Sequence, residues 1–377
     1  TRDWSSDVCS SDLLPRVGVQ NVACPEGAPE CLSVPHHSAA PSGLRLSVAR
    51  FPRVALRATL GCIPLPRWGR ATRGVLLLLW LVASAPTVEP LSLHGFTMGS
   101  TWSAKYRPAT NTPPARAVER ALQARLNDLE QQMSTWRADS VLSRFNASRD
   151  TNWFPVPRDI AVVVREALEV SRLTDGAFDV TVFPLVQLWG FGPGGKKGRV
   201  PTDAEIAAAL RRVGWQKLHA RLDPPALRKD LPDVAVDLSA LCPGYASDCL
   251  GEQFEAWGVH DYLVEVGGEF RARGDGALGS GWRVGVERPT SRAGDSQSLS
   301  AVPGRATDGG FEPPAPALAA AVTLTNQSLA TSGDYRNFFV VDGRRFSHHL
   351  DQRTGWPTDS AIASVSVIHT NTDRKST

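Results

Sequence analysis

Val234-Ala-Val-Asp-Leu-Ser-Ala-Leu-Cys-Pro-Gly-Tyr245 is where this chain changes character. Its apolar start, closed by Asp237, reads as a strand over residues 234–238. A helix follows over residues 244–257 and stops at Gly258, since glycine readily ends a helix. Residues 262–266, Tyr-Leu-Val-Glu-Val, then read as a strand running into Gly267-Gly268. Upstream, apolar residues return at helical spacing. Val118, Ala121, Leu122, Leu126 and Leu129 share one face of residues 112–133, and Ile160, Val163, Val164, Ala167, Leu168 and Val170 do so in 159–174. Thr202 with Glu205 forms a capping-box pattern, opening a helix that ends near Gly214. Residues 93–106 read as one early strand. Downstream, strands are predicted over 282–287, 321–325, 338–341, 345–348 and 362–368. Residues 190–201, rich in Gly and Lys, read as a loop. Residues 288–317, rich in Ser, Gly, Pro and Ala, read as an insertion between two strands. Helices first and strands later predict an α+β fold, with mixed sheets and flanking helices, and not a strict βαβ alternation.

The two ends read differently. Residues 1–13 and 371–377 are similar to translated sequencing-adapter sequence and are set aside from fold reasoning. Residues 14–66 are rich in Pro, Arg and Ser, carry Cys24, Cys31 and Cys62 at no zinc spacing, and read as disordered or mis-translated. Residues 67–85 place Arg67, Arg70 and Arg73 before the apolar run from Val75 to Ala83, then Ala83-Ser-Ala85, the pattern of a signal peptide. That run is too short to span a bilayer, which takes about 20 apolar residues. The expectation is an exported protein, periplasmic or at the periplasmic face of the inner membrane. No Cys follows the run, so no lipid-attachment site is found, and surface association with the membrane is left open.

Net charge is only +3, with 41 Lys and Arg against 38 Asp and Glu, interspersed. No basic block or stripe is present, which argues against a nucleic-acid partner. Cys242 and Cys249 sit seven positions apart on the predicted helix, about 10 Å along its axis. That is beyond disulfide reach, so both read as small buried residues.

Several short segments carry chemistry. Asp139-Ser140, within Met133-Ser-Thr-Trp-Arg-Ala-Asp-Ser-Val-Leu-Ser-Arg-Phe-Asn146, has the composition of a turn or helix cap. Trp136 reads either as core or as a flat apolar face for a planar ligand. Gly176-Ala-Phe-Asp179 follows a helix, where glycine permits close backbone approach to a ligand and Asp179 alternatively caps. Met98, in Phe96-Thr-Met-Gly-Ser-Thr101, reads as core or contact. A carboxylate at the end of a buried strand, as at Asp237, is costly unless paired or ligating. Gly267-Gly268 suits a tight strand-to-strand passage. Ala330-Thr-Ser-Gly-Asp-Tyr-Arg336 offers backbone N–H groups and hydroxyls of the kind that hold phosphate oxygens. Phe346-Ser-His-His-Leu-Asp-Gln-Arg-Thr-Gly355 contains His348, a side chain suited to acid–base work near neutral pH.

In order and spacing these segments resemble the FAD:protein FMN transferase family, also called the ApbE family, over about 250 residues. The resemblance implies that residues 86–370 form one such domain, with an ApbE-like, T-fold-related fold. It implies Mg2+-dependent transfer of FMN from FAD to a Ser or Thr hydroxyl of a target flavoprotein, releasing AMP. The targets implied are flavoproteins of membrane redox complexes that carry covalent FMN. It assigns Met98, Trp136, Ala177, Phe178, Asp179, Asp237, Thr331, Ser332 and Gly333 to FAD, the Ala240 carbonyl to the metal, and His348 to catalysis. This chain departs from the pattern at Pro243 (Lys in the family), at His349 (an aliphatic) and at Gln352 (Pro). The family's later Asp and Thr, which help hold the metal, find no match before residue 371, so an incomplete metal site is expected. A metal-dependent FAD pyrophosphatase, a non-catalytic flavin-binding protein and an inactive gene fragment are the alternatives.

Overall fold

The computed structural model describes residues 89–276, 279–289 and 318–370. The readings of residues 1–85 and 371–377, and nearly all of the 288–317 insertion, lie outside them. In chain order the elements are β1 (Leu91–Thr97), β2 (Ser100–Tyr106), α1 (Ala115–Met133), α2 (Val141–Ala147), β3 (Phe154–Pro155), α3 (Arg158–Leu173), α4 (Phe183–Leu188), α5 (Asp203–Leu210), β4 (Leu218–Leu222) and β5 (Pro225–Lys229). Then come α6 (Cys242–Ala256), β6 (Tyr262–Val266), β7 (Glu269–Arg273), β8 (Trp282–Glu287), β9 (Leu318–Leu324), β10 (Ser328–Gly333), β11 (Phe338–Val341), β12 (Arg344–Ser347) and β13 (Ser364–His369).

The central sheet has the order β1-β2-β6-β7-β10-β13, with every neighbouring pair antiparallel. The stripe predicted for α1 is its buried face, and it packs with α6 against the sheet. Leu122, Leu126 and Leu129 join Leu250, Phe254, Trp102, Tyr106, Tyr262 and Val264 in one core. Helix α3 closes that core on the β3-β5-β4 side. A second core gathers Leu185, Trp189, Phe191, Ile206, Phe339, Phe346 and Leu350, tying α4 and α5 to the β11–β12 hairpin. At its centre Trp189 stacks on Phe346 at 5.5 Å and donates from Nε1 to the Gly355 carbonyl at 2.8 Å.

Two expectations are corrected. Residues 93–106 form a hairpin and not one strand, because the chain reverses at Met98-Gly99, both in the left-handed region (φ 51° and 70°). Residues 234–238 are extended but belong to no sheet. Their backbone groups find partners outside any ladder: the Asn146 side chain donates to the Val236 carbonyl and accepts from Val236 N, both at 2.8 Å, and Lys229 Nζ donates to the Val234 carbonyl at 3.1 Å. The residues from Ala330 to Gly333, read as a source of backbone N–H groups and hydroxyls for phosphate, lie on strand β10, whose ladder with β13 overrides the weak strand propensity of Ser and Gly. Strands β3, β4, β5 and β7 and helices α2 and α4 were not anticipated, being too short or too charged to show a period. The Thr202 capping box forms as expected, with Thr202 and Glu205 bonding reciprocally. Cys242 and Cys249 are both free and buried.

Candidate active site

The central sheet carries Met98 at its β1–β2 turn and Thr331, Ser332 and Gly333 on β10. The β1–β2 turn lies beside the β6–β7 turn, because β2 pairs with β6 and Gly267 N donates to the Thr101 carbonyl at 3.0 Å. The β6–β7 turn is made by Gly267 and Gly268, at φ 61° and 97°, as their sequence suggests. β10 pairs antiparallel with β7 through Ser328 with Arg271 and Leu329 with Phe270, so the chain after Leu329 heads toward the β6–β7 turn. Thr331, Ser332 and Gly333 continue β10 in that direction, paired with Ser366, Val365 and Ser364 of β13. The N-terminus of α6 reaches the β6–β7 turn: a side chain at Gly267 would meet Pro243 Cβ at 3.4 Å.

Met98 is fixed in its turn from two sides. Its N–H donates to Glu130 Oε2 at 3.2 Å, and Cys242 Sγ lies 3.7 Å from its sulfur and 3.8 Å from that of Met133. Burial pushes the Cys242 thiol up to about 12, so it is an inert packing group. Just beyond α1, the turn bearing Trp136 is tied by Ser140 and Ser143, whose hydroxyls donate to the Ser134 carbonyl at 2.6 and 3.1 Å. Ser140 also caps α2, accepting from Ser143 N at 2.9 Å. The indole itself is 66% exposed, which excludes the core reading of Trp136.

The two aspartates differ in what they do. Asp179 is buried; Oδ1 accepts from Thr181 N and Oγ1, and Oδ2 from Trp215 N, each at 2.7 Å. Burial pushes its carboxyl up against the pull of those bonds. It thus caps the 3-10 turn at Val180–Val182 and pins Trp215. Asp237 is half-buried, and its N–H donates to the Val180 carbonyl at 2.8 Å, which sets it beside that turn. Its Oδ1 accepts from Ser239 N at 2.8 Å, and burial again raises the carboxyl above its ordinary range. Ala240 follows, exposed, two residues before α6.

His348 sits where β12 ends. Its N–H and its Nδ1 both lie 3.0 Å from the Asn337 carbonyl. A carbonyl only accepts, so Nδ1 carries the proton and Nε2 is left as a base in the neutral ring. Burial first, then the neighbouring His349, pushes the ring down to about 4, so it is neutral at physiological pH. The loop after it returns to the first segment. The Gln352 side-chain amide meets the Ala177 carbonyl at 3.0 Å, a contact that becomes a hydrogen bond with the amide nitrogen turned to it, bringing residues 348–355 against Gly176-Ala-Phe-Asp179. Ala177 is exposed and Phe178 half-buried on the main core. Thr331 Oγ1 and Ser366 Oγ are 2.8 Å apart across β10 and β13. Asn146, Asn337 and Gln352 escaped the sequence reading as working residues. Asn146 closes the segment Met133–Asn146, and Gln352 stands where the family has Pro. A cavity of about 460 Å³ lined by Asn146, Phe183, Gln187 and Ala235 holds none of the predicted site residues.

The ApbE family model matches residues 98–375. The chain belongs to the ApbE family. Among curated relatives, the FAD:protein FMN transferase of Vibrio cholerae is 36% identical over 291 residues, 77% of this chain and 80% of that protein. The Salmonella typhimurium FAD:protein FMN transferase is 38% identical over 278 residues, 73% of each. The solved flavin transferase ApbE from Vibrio cholerae superposes with a TM-score of 0.65 at 33% identity, covering 76% of this chain and 84% of that one. The apo flavinyl transferase ApbE of Pseudomonas stutzeri gives 0.64 at 35% identity, covering 76% and 82%. The α+β, ApbE-like fold expected from the motifs is the fold found.

An ApbE site needs room for a flavin and a pyrophosphate. The exposed Trp136 face, the Gly-lined turns and the hydroxyls of β10 are chemically suited to both. Among the described residues no three His, Cys, Asp or Glu side chains come together as an ion site. Mg2+, however, is commonly held by one or two carboxylates plus substrate phosphates, without a protein cage. Asp237, whose raised carboxyl a nearby cation would bring back down, and the Ala240 carbonyl are hard oxygen donors of that kind.

Proposed function

We propose that this ApbE-family chain transfers the FMN moiety of FAD to a Ser or Thr hydroxyl of a target flavoprotein and releases AMP. What supports the reading is the set of groups with bonding capacity to spare: an exposed indole, a half-buried carboxylate with one backbone bond, the hydroxyls of β10, and a neutral histidine whose Nε2 is a free base. The hydroxyl oxygen bonds to the FMN phosphorus, the bridging P–O bond to the AMP half breaks, and the hydroxyl proton leaves to His348 Nε2. Trp136 and Phe178 would hold the isoalloxazine, and Thr331, Ser332 and the Gly333 backbone would orient the phosphates. Asp237 and the Ala240 carbonyl would hold Mg2+, which when bound neutralises charge on the pyrophosphate. The implied acceptors are flavoproteins of membrane redox complexes, met at the periplasmic face if residues 67–85 direct export.

The test is incubation of the full chain with FAD, Mg2+ and an acceptor flavoprotein, followed by flavin fluorescence on a denaturing gel and chromatography of AMP. A fluorescent acceptor band that EDTA abolishes, with equimolar AMP, is expected. Free FMN with an unlabelled acceptor would replace this reading with FAD hydrolysis. FAD bound without AMP release would reduce it to flavin binding.

A further inference from the structure

Residues 190–198, Gly-Phe-Gly-Pro-Gly-Gly-Lys-Lys-Gly, form a loop that none of the family-like segments includes. It folds tightly on itself. A side chain at Gly190 would meet the Lys196 carbonyl group at 2.6 Å, and one at Gly195 would meet the Gly190 backbone at the same distance. The loop is also anchored. Phe191 N and Gly192 N donate to the Val186 carbonyl at 3.0 and 3.3 Å, and the buried Phe191 ring lies 5.6 Å from Phe339 and 6.3 Å from His348.

That anchoring delivers Lys197 to the histidine. Its Nζ donates to Asn337 Oδ1 at 2.7 Å and lies 5.4 Å from the Phe191 ring centre. Asn337 is the residue whose carbonyl holds His348 Nδ1. Among the described residues Lys197 has no carboxylate partner, and its acceptor is a neutral amide. An ammonium has three N–H donors, so capacity remains for an anion. In the neighbouring segment Arg336 is paired with Glu287, Arg345 pairs with Asp334 at 3.0 Å, and Arg344 lies over the Phe346 and Trp356 rings at 5.2 and 5.7 Å. The N-terminal turn of α6 carries Pro243 and no basic side chain. Lys197 is the cation tied through Asn337 to His348, and an anion that reaches His348 meets it with donors to spare.

We propose that Lys197 binds a phosphate of the FAD pyrophosphate beside His348, which makes the 190–198 loop a substrate-binding element. The proposal rests on the flavin-transfer reading above. A lysine serves here as a compact point charge, on a loop whose glycines let the backbone pack close enough to hold it in place.

The experiment titrates FAD and riboflavin, which carries no phosphate, into the full wild-type chain, Lys197→Met and Lys197→Arg, and follows transfer to an acceptor with each. Lys197→Met should weaken FAD binding about tenfold to a hundredfold, the value of one charge-assisted hydrogen bond, and leave riboflavin within about twofold. Lys197→Arg should recover most of the loss. FAD and riboflavin weakened together would make the loop merely structural and overturn the proposal. Unchanged FAD binding would overturn it as well. If the wild type binds FAD but neither labels an acceptor nor releases AMP, the transfer reading falls, and the FAD-to-riboflavin ratio still decides the role of Lys197.

Discussion

Acid should cost this protein stability through His348, by an amount the structure sets. Burial and the nearby His349 hold the ring at about 4 against an ordinary 6.5, with Lys197 adding to the push and Asp334 and the Asn337 carbonyl opposing it. That difference amounts to about 2–3 kcal/mol of discrimination against the imidazolium, allowing for the ring's partial exposure. The folded value lies below the unfolded one, so the unfolded chain takes up the proton first. The contribution is complete above pH 6.5 and is lost as pH falls toward 4. The perturbation is His348→Gln, which does not titrate but can still donate an N–H to the Asn337 carbonyl. Urea unfolding of both proteins at pH 7.5 and pH 4 isolates the term. The wild type should lose about 2–3 kcal/mol more than the variant between the two conditions. Parallel losses would refute a half-buried His348 held neutral well below the ordinary imidazole range.

Asn146→Ala should cost about 2–4 kcal/mol, since it strands both Val236 N and the Val236 carbonyl, and should raise the KM for FAD by loosening the neighbouring Asp237; chemical denaturation and steady-state transfer check the two effects. Asp179→Asn should lower the melting temperature and leave FAD binding to the surviving fold little changed, whereas Asp237→Asn should do the reverse. Calorimetry on both variants separates a structural carboxylate from a substrate-facing one. Gly355→Ala places a methyl 2.5 Å from Ile206 Cγ2 on a backbone at φ 75°. It should destabilise by about 2–4 kcal/mol in thermal unfolding, from overpacking and left-handed strain together.

What was legible in the sequence was what short-range rules determine. The stripes of α1 and α3 repeat every three or four residues, the Thr202 cap needs only its own neighbours, and Gly267-Gly268 requires a turn wherever it is placed. What was hidden depended on partners far along the chain. The extended stretch at 234–238 looks like a strand because its apolar alternation is that of one, yet it is paired by a side chain 90 residues away. The hairpin at 93–106 was hidden because its turn uses Met98, a residue that seldom adopts positive φ. Of the site, the glycines, acids and histidine were visible as types at turns. Lys197 was visible only as part of a loop, because its partner Asn337 lies 140 residues on.

The site can be divided by asking which polar groups the fold has already used. Asp179 holds Thr181 and Trp215, Glu130 holds the Met98 N–H, Asp334 pairs with Arg345, and the Asn337 carbonyl carries both the N–H and Nδ1 of His348. These groups build the frame, and a ligand that took their bonds would have to replace them at similar cost. Asp237 carries one backbone bond to Ser239, His348 keeps Nε2 unprotonated, Lys197 touches only a neutral amide, and Trp136 offers an exposed face. A carboxylate for a cation, a cation for a phosphate, a base for a hydroxyl proton and a flat surface for a ring are the four needs of moving a flavin phosphate onto a hydroxyl. That the residues with capacity to spare match those needs one for one supports the transfer reading more strongly than any single motif. It also separates Asp179 from Asp237, which the sequence alone could not do.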